Sequence, residues 1–180
     1  NPGWLRDNSS DNISIKNKFY GEYTFHYWFW KNQLMKTDNK KWTGFCAYRR
    51  FWLKENKKPY EITDLNNDVL KQIPNEWDEY ESIIGNKFEL TGVKFMKLLK
   101  YGKISLLRNP KAIFKSGRNI RFQFDMFHGN GVLDKAIDLL GVKERDDFRK
   151  FVNEKNSYNQ GNMFICKSSS IMNEYYKTIF

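Results

Sequence analysis

This chain is poor in several features that would each have marked a class of protein. Only two cysteines, Cys46 and Cys166, occur in 180 residues. Two distant thiols cannot build the disulfide framework of a small secreted domain, and with only two histidines they do not make a zinc site of Cys/His spacing. Both lie in apolar, strand-like runs, so buried thiols in a reducing cytosol are expected. No apolar run reaches the roughly 20 residues that span a bilayer, and no secretory pattern is present. There is no P-loop, Gly-x-Gly-x-x-Gly or nucleophile elbow, no internal repeat and no low-complexity tract. Acidic residues are missing altogether from Leu90 to Phe124, a stretch that holds nine Lys or Arg. Much of the net charge of +10 is therefore local. It suits a solvated basic face or one of three partners: anionic lipid, nucleic acid or a diphosphate substrate.

What the chain does have is aromatic rings, 17% of its residues within a hydrophobic share of 40%. That load excludes a disordered chain and predicts one globular domain over residues 1–180. Asn1-Pro-Gly-Trp4 does not read as a natural start, so a fragment is expected, truncated at one or both ends.

Helical and strand-like segments alternate. Asn8-Ser-Ser-Asp-Asn12 is a cap or turn cluster. Ser14 to Asn32 reads as helix, with Tyr20, Tyr23, Thr24, Tyr27, Trp28 and Lys31 at three- and four-residue spacing. Trp42 to Tyr48 reads as a buried strand ending at Arg49-Arg50. A short helix is expected within Thr63–Ile73, a strand at Ser82–Ile84, and a basic amphipathic helix over Thr91–Tyr101. Arg121 to Phe127 alternates and reads as a strand or extended segment, broken by His128-Gly-Asn-Gly131. Helices follow over Val132–Leu140 and Glu144–Asn153, then a late strand over Asn162–Cys166 and a helix from Ile171. Single strands between helices argue α/β with a mostly parallel, Rossmann-like sheet flanked by helices.

Three clusters can carry chemistry. Tyr48, Arg49 and Arg50 follow an apolar strand, and ligands of open α/β sheets collect at the carboxyl ends of strands. Two guanidinium forks there suit a diphosphate. Asp11, Asn12, Ser14, Lys16 and Asn17 precede a helix. They exceed what N-capping needs, and such a block can hold a ribose or phosphate. Glu22, one turn on, is placed to orient Arg49 or Arg50, or is a surface glutamate. Gln123, Asp125 and His128 form the third cluster. His26 reads as packing within the aromatic helix.

Together, Asp11-Asn-Ile-Ser14, Gly44-Phe-Cys-Ala-Tyr-Arg-Arg-Phe-Trp52 and Gly161-Asn-Met-Phe-Ile-Cys-Lys167 resemble the bacterial glycosyltransferases of capsule and O-antigen assembly, whose central strand ends in a His-Tyr-Arg-Arg-type motif. The blocks are specific in combination and weak singly, and residues 55–121 match little. The resemblance implies a GT-A-like fold, here without its first strand, that moves a sugar from a nucleotide diphosphate sugar to a lipid-linked or oligosaccharide acceptor. GT-A enzymes place an acidic metal-binding pair where this chain has Tyr48-Arg49-Arg50, and no convincing Asp-x-Asp occurs elsewhere. The resemblance thus implies a diphosphate neutralised by Arg49 and Arg50, with dependence on Mg²⁺ or Mn²⁺ left open. An inverting transferase needs a base for the acceptor hydroxyl, which Asp125 or His128 can supply, while Asn162 is placed to hydrogen-bond the sugar or acceptor. The basic stretch from Lys94 to Lys115, interleaved with Phe95, Met96, Leu98, Leu99 and Phe114, would hold such an enzyme at the inner face of the plasma membrane. Two rivals stand: a basic nucleic-acid-binding module, and a non-catalytic domain of a larger synthase.

Overall fold

The aromatic run after Glu22 forms a helix that buries two of its faces. Thr24 and Trp28, four apart, turn toward the preceding segment, and His26 turns toward the far end of the chain. The structure, a computed structural model, describes residues 3–38, 41–47, 50–55, 64–90, 95–159 and 163–180. Two compact units divide it: Asn1–Gly85 with Gly161–Phe180, and Asn86–Gln160.

In the first unit the helix expected over Ser14–Asn32 is interrupted. A 3-10 turn over Ser14–Lys16 leads into α1 (Asn17–Tyr20), Gly21 then takes φ +54, and α2 (Tyr23–Asn32) starts afresh. A positive φ is open to glycine at little cost, so the break was encoded at Gly21. After α2 come β1 (Thr43–Gly44), α3 (Leu65–Asp68), β2 (Ser82–Ile84) and, beyond the second unit, β5 (Phe164–Cys166) and α9 (Ser169–Ile179). Asp64 caps α3 by accepting from the Asn66 N–H, and Ser168 caps α9 by accepting from the Ile171 N–H.

The sheet has the order β1–β5–β2, with Thr43 opposite Cys166, Gly44 opposite Ile165, and Ile83 also opposite Ile165. Both pairings are antiparallel. The mostly parallel sheet expected from helix–strand alternation is not among the described ladders. The alternation was misleading because the stretch between β2 and β5 is a whole second unit rather than a crossover helix. Gly44 is required by this pairing: a Cβ there would lie 2.6 Å from the Ile165 side chain and 2.7 Å from the Phe164 carbonyl oxygen. Among the described residues of the buried strand expected over Trp42–Tyr48, Thr43–Gly44 is ladder-paired, and Cys46 is exposed, against expectation, whereas Cys166 is buried.

The core of this unit is Leu34, Phe164, Cys166, Met172 and Tyr176, with Phe29, Trp30, Phe45, Ile171 and Tyr175 against it. Burial pushes the Cys166 thiol up to about 11, so it stays protonated. Trp30 donates to Asn173 at 2.8 Å and stacks on Phe180 at 6.0 Å, tying α2 to α9. His26 Nδ1 lies 3.0 Å from the Tyr176 hydroxyl and its ring 4.4 Å from that of Phe45. It packs, as expected.

The second unit contains β3 (Lys87–Glu89), α4 (Phe95–Tyr101), α5 (Lys103–Arg108), α6 (Ile120–His128), α7 (Val132–Ile137), α8 (Val142–Glu154) and β4 (Ser157–Asn159). Here β3 and β4 pair antiparallel, with Phe88 opposite Tyr158. The segment expected as a strand over Arg121–Phe127 is a helix. Asn119 caps it by accepting from the Phe122 N–H at 2.8 Å, and Gly129 at φ +95 ends it. The alternating residues serve both helical flanks: Phe122 and Met126 pack with Leu98 and Ala112, while Ile120 and Phe124 pack with Leu133, Ile137 and Val152. Burial on two flanks of one helix imitates a period of two.

Candidate functional site

Because α6 is a helix, Arg121, Asp125 and His128 fall at i, i+4 and i+7 and share a stripe between the two buried flanks. Arg121 and Asp125 line a cavity of about 280 Å³ within the second unit. Arg108 and Ser105 on α5, Asn119, Asn130, Gly131, Asp134 on α7 and Asn153 on α8 complete its polar wall. Gly131 stands at φ +84, and its N–H donates to the Asp125 carboxylate. The other oxygen of Asp125, Oδ1, is enclosed and has no hydrogen-bond partner among the described residues.

Charge in the cavity is asymmetric. Arg121 is committed, with NH1 2.8 Å from Asp134 Oδ2 and Nε donating to Asn153 Oδ1 at 2.7 Å. The hydrogen bond from Arg121 holds the Asp134 carboxyl below the usual carboxylate range. Burial pushes Asp125 up instead, and Asp134 adds to the rise. Arg121, Arg108 and the Gly131 N–H oppose it. Two neighbouring carboxylates pushed in opposite directions are a hallmark of divided acid–base labour. Asp125 is thus the carboxyl pushed up by burial, and Asp134 the one held down by its pairing with Arg121.

The other expected residues are placed differently. His128 is exposed at the end of α6, its ring tilted against that of Phe124 with centres 4.5 Å apart, and does not line the cavity. Gln123 does not line it either, and its Oε1 is enclosed without a hydrogen-bond partner among the described residues. Tyr48, Arg49 and Asn162 lie outside the described residues, and Arg50 is exposed. The block at Asp11–Asn17 is drawn into the first unit's own hydrogen bonds. Asn12 Oδ1 accepts from Ser14 Oγ at 2.8 Å, and Asn17 Nδ2 donates to Thr24 Oγ1 at 3.0 Å. Thr24 in turn donates to Asp7 at 2.6 Å, and Tyr27 donates to Asp11 at 3.2 Å. Lys16 and Glu22 are exposed. Most of this block therefore straps the N-terminal segment onto α2.

Arg108, Asp134, Asn130 and Asn153 were missed in the sequence. The signal available was local: an Asn119 cap followed by Arg121 and Asp125 four apart, with Gly129-Asn-Gly131 behind them, describes a capped helix with a charged stripe. Among the described residues no group of three or more His, Cys, Asp or Glu is arranged to hold a metal ion.

A family model described as a domain of unknown function, DUF4422, matches residues 1–180. No curated protein matches. Among solved structures, the apo form of WbbM, a bifunctional glycosyltransferase, is similar with a TM-score of 0.47 and 23% identity. The match covers 95% of this chain and 29% of that one.

Proposed function

As this chain belongs to the DUF4422 family, we propose that its members of this kind are glycosyltransferases of hexosyltransferase type, built on a GT-A-like plan. In this reading they move a sugar from a nucleotide diphosphate donor to a capsule or lipopolysaccharide glycan, carried on a lipid or free as an oligosaccharide. The observation that carries the reading is the cavity around Asp125. A carboxylate with one enclosed, unpartnered oxygen and a raised pKa can accept the proton of an acceptor hydroxyl as the hydroxyl attacks the anomeric carbon. Asn130, Asn153 and Ser105 offer neutral groups that suit sugar hydroxyls. Arg49 and Arg50 keep the role the sequence suggests for them, guanidinium groups suited to a diphosphate. Lys16, exposed beside the Asn12–Ser14 turn, is the cation of its block that suits a phosphate in this reading.

A thermal-shift screen of nucleotide diphosphate sugars, run in EDTA and then with Mn²⁺, tests the reading. One donor should stabilise the protein in EDTA and fail to do so in Arg49→Ala/Arg50→Ala. If no donor stabilises it under either condition while single-stranded oligonucleotides bind in a salt-sensitive manner, the transferase reading is replaced by a nucleic-acid-binding one.

A further inference from the structure

Helices α4 and α5 are apolar on two sides. In α4, Leu98 is wholly buried, yet Met96 is 74% and Leu99 41% exposed. In α5, Ser105 turns inward while Ile104 and Leu107, three residues apart, are 61% and 84% exposed. Phe114, just past the 3-10 turn over Pro110–Ile113, is 69% exposed. A surface helix ordinarily confines its apolar residues to one buried stripe and covers the rest with charge. Large apolar side chains held outward in such number mark an interaction surface.

The charges carried by this stretch of chain have one sign, the carboxylates of Asp125 and Asp134 lying on the cavity side of α5. Lys100, Lys103 and Lys111 are exposed, and no Asp or Glu occurs from Leu90 to Phe124. Lys100 Nζ sits 5.2 Å from the centre of the Tyr101 ring, an amphipathic pair of the kind that suits an interface between water and apolar medium. Two cations of the stretch are otherwise engaged: Arg118 is buried and donates to the Ala112 and Ile113 carbonyls, and Arg121 is paired with Asp134. Leu98, expected on the lipid-facing side, belongs to the core.

We propose that α4, α5 and the turn ending at Phe114 form a face that lies on an anionic lipid bilayer, with Met96, Leu99, Ile104, Leu107 and Phe114 entering the headgroup boundary and the lysines meeting lipid phosphates. Apolar side chains alone would fit a protein partner equally well, and the one-signed charge is what selects the lipid. No described helix is long and apolar enough to cross a membrane. Helix α5 also walls the Asp125 cavity through Ser105 and Arg108. One helix thus borders both the lipid and the cavity, which suits a lipid-borne acceptor; that last clause rests on the transferase reading, and the lipid contact does not.

Co-sedimentation of the full chain with vesicles tests the proposal. At about 0.1 M salt the protein should bind phosphatidylglycerol–phosphatidylcholine vesicles and leave pure phosphatidylcholine vesicles unbound. Lys100→Gln and Lys103→Gln should each lower partitioning about fivefold. Leu107→Ser/Phe114→Ser should abolish it, with circular dichroism unchanged because both side chains are exposed. Asp125→Asn should bind like the wild type, so failure of the catalytic reading and failure of this one can be told apart. Absence of vesicle binding, equal binding to neutral and anionic vesicles, or wild-type binding by the Leu107/Phe114 variant overturns the proposal. Loss in that variant of a concentration-dependent dimer that ignores vesicles overturns it too, and assigns the face to a second copy.

Discussion

One polar cluster in each unit makes the comparison. In the first, side chains are matched to one another: Asn12 with Ser14, Asn17 with Thr24, Thr24 with Asp7, and His26 with Tyr176. In the second, a cavity keeps an enclosed carboxylate oxygen of Asp125 unmatched, beside an Arg121–Asp134 pair that is matched. Buried polar groups are normally satisfied, and the exceptions call for a reason. The contrast separates a cluster that looked functional by composition from one that is unsatisfied by geometry.

Substitutions can break that contrast. The largest effect is expected on activity. Asp125→Asn removes the proton acceptor and should lower kcat by about 10²–10⁴, while thermal stability stays level or rises, since the enclosed carboxylate loses its charge. A large fall in melting temperature with activity intact would give Asp125 a structural role instead. Next comes Tyr176→Ala, which empties a fully buried site in the first unit and leaves His26 Nδ1 without its partner. Denaturant unfolding should show a loss of about 3–5 kcal/mol.

A pH effect follows in size. Burial lowers His26 from 6.5 to about 4, with Glu22 opposing. Between those values the unfolded chain binds a proton that the folded chain refuses. Stability is therefore full above pH 6.5 and falls as pH drops toward 4, by up to about 1.4 kcal/mol per pH unit. Urea unfolding at pH 7.5 and pH 5 should show the loss, and His26→Phe should flatten it. The smallest effect is expected in the strap. Asn12→Ala removes the acceptor of the Ser14 hydroxyl and should cost about 1 kcal/mol with transfer activity unchanged. A fall in activity without a fall in stability would return the Asp11–Asn17 block to the site.

Much of the layout could be read from the chain, because the physics was local. The strands at Ser82–Ile84 and Phe164–Cys166 and the helices on either side of Gly141 lie where turn residues and periodicity put them. Two misreadings had one cause, the reliance on alternation. Arg121–Phe127 alternates because α6 is buried on two flanks, and strands alternate with helices because a whole unit lies between β2 and β5. Asp125 was legible as a candidate acid–base group. Its company was not: Arg108, Asp134 and Asn153 reach the cavity from α5, α7 and α8, and only tertiary structure brings them together. For the Asp11–Asn17 block, the internal partners of Asn12, Asn17 and Asp11 were not legible, since nothing in a sequence says whether a polar side chain finds its partner inside the molecule.

The most direct test is the pH dependence of kcat/KM for sugar transfer, measured for the wild type beside Asp125→Asn. A base raised by burial predicts activity that climbs with pH along an acid limb above the usual carboxylate range. That limb should be absent from the residual activity of the variant. The same limb in both proteins, or a wild-type profile with no limb in that region, would contradict Asp125 as the proton acceptor and the cavity as the place of reaction.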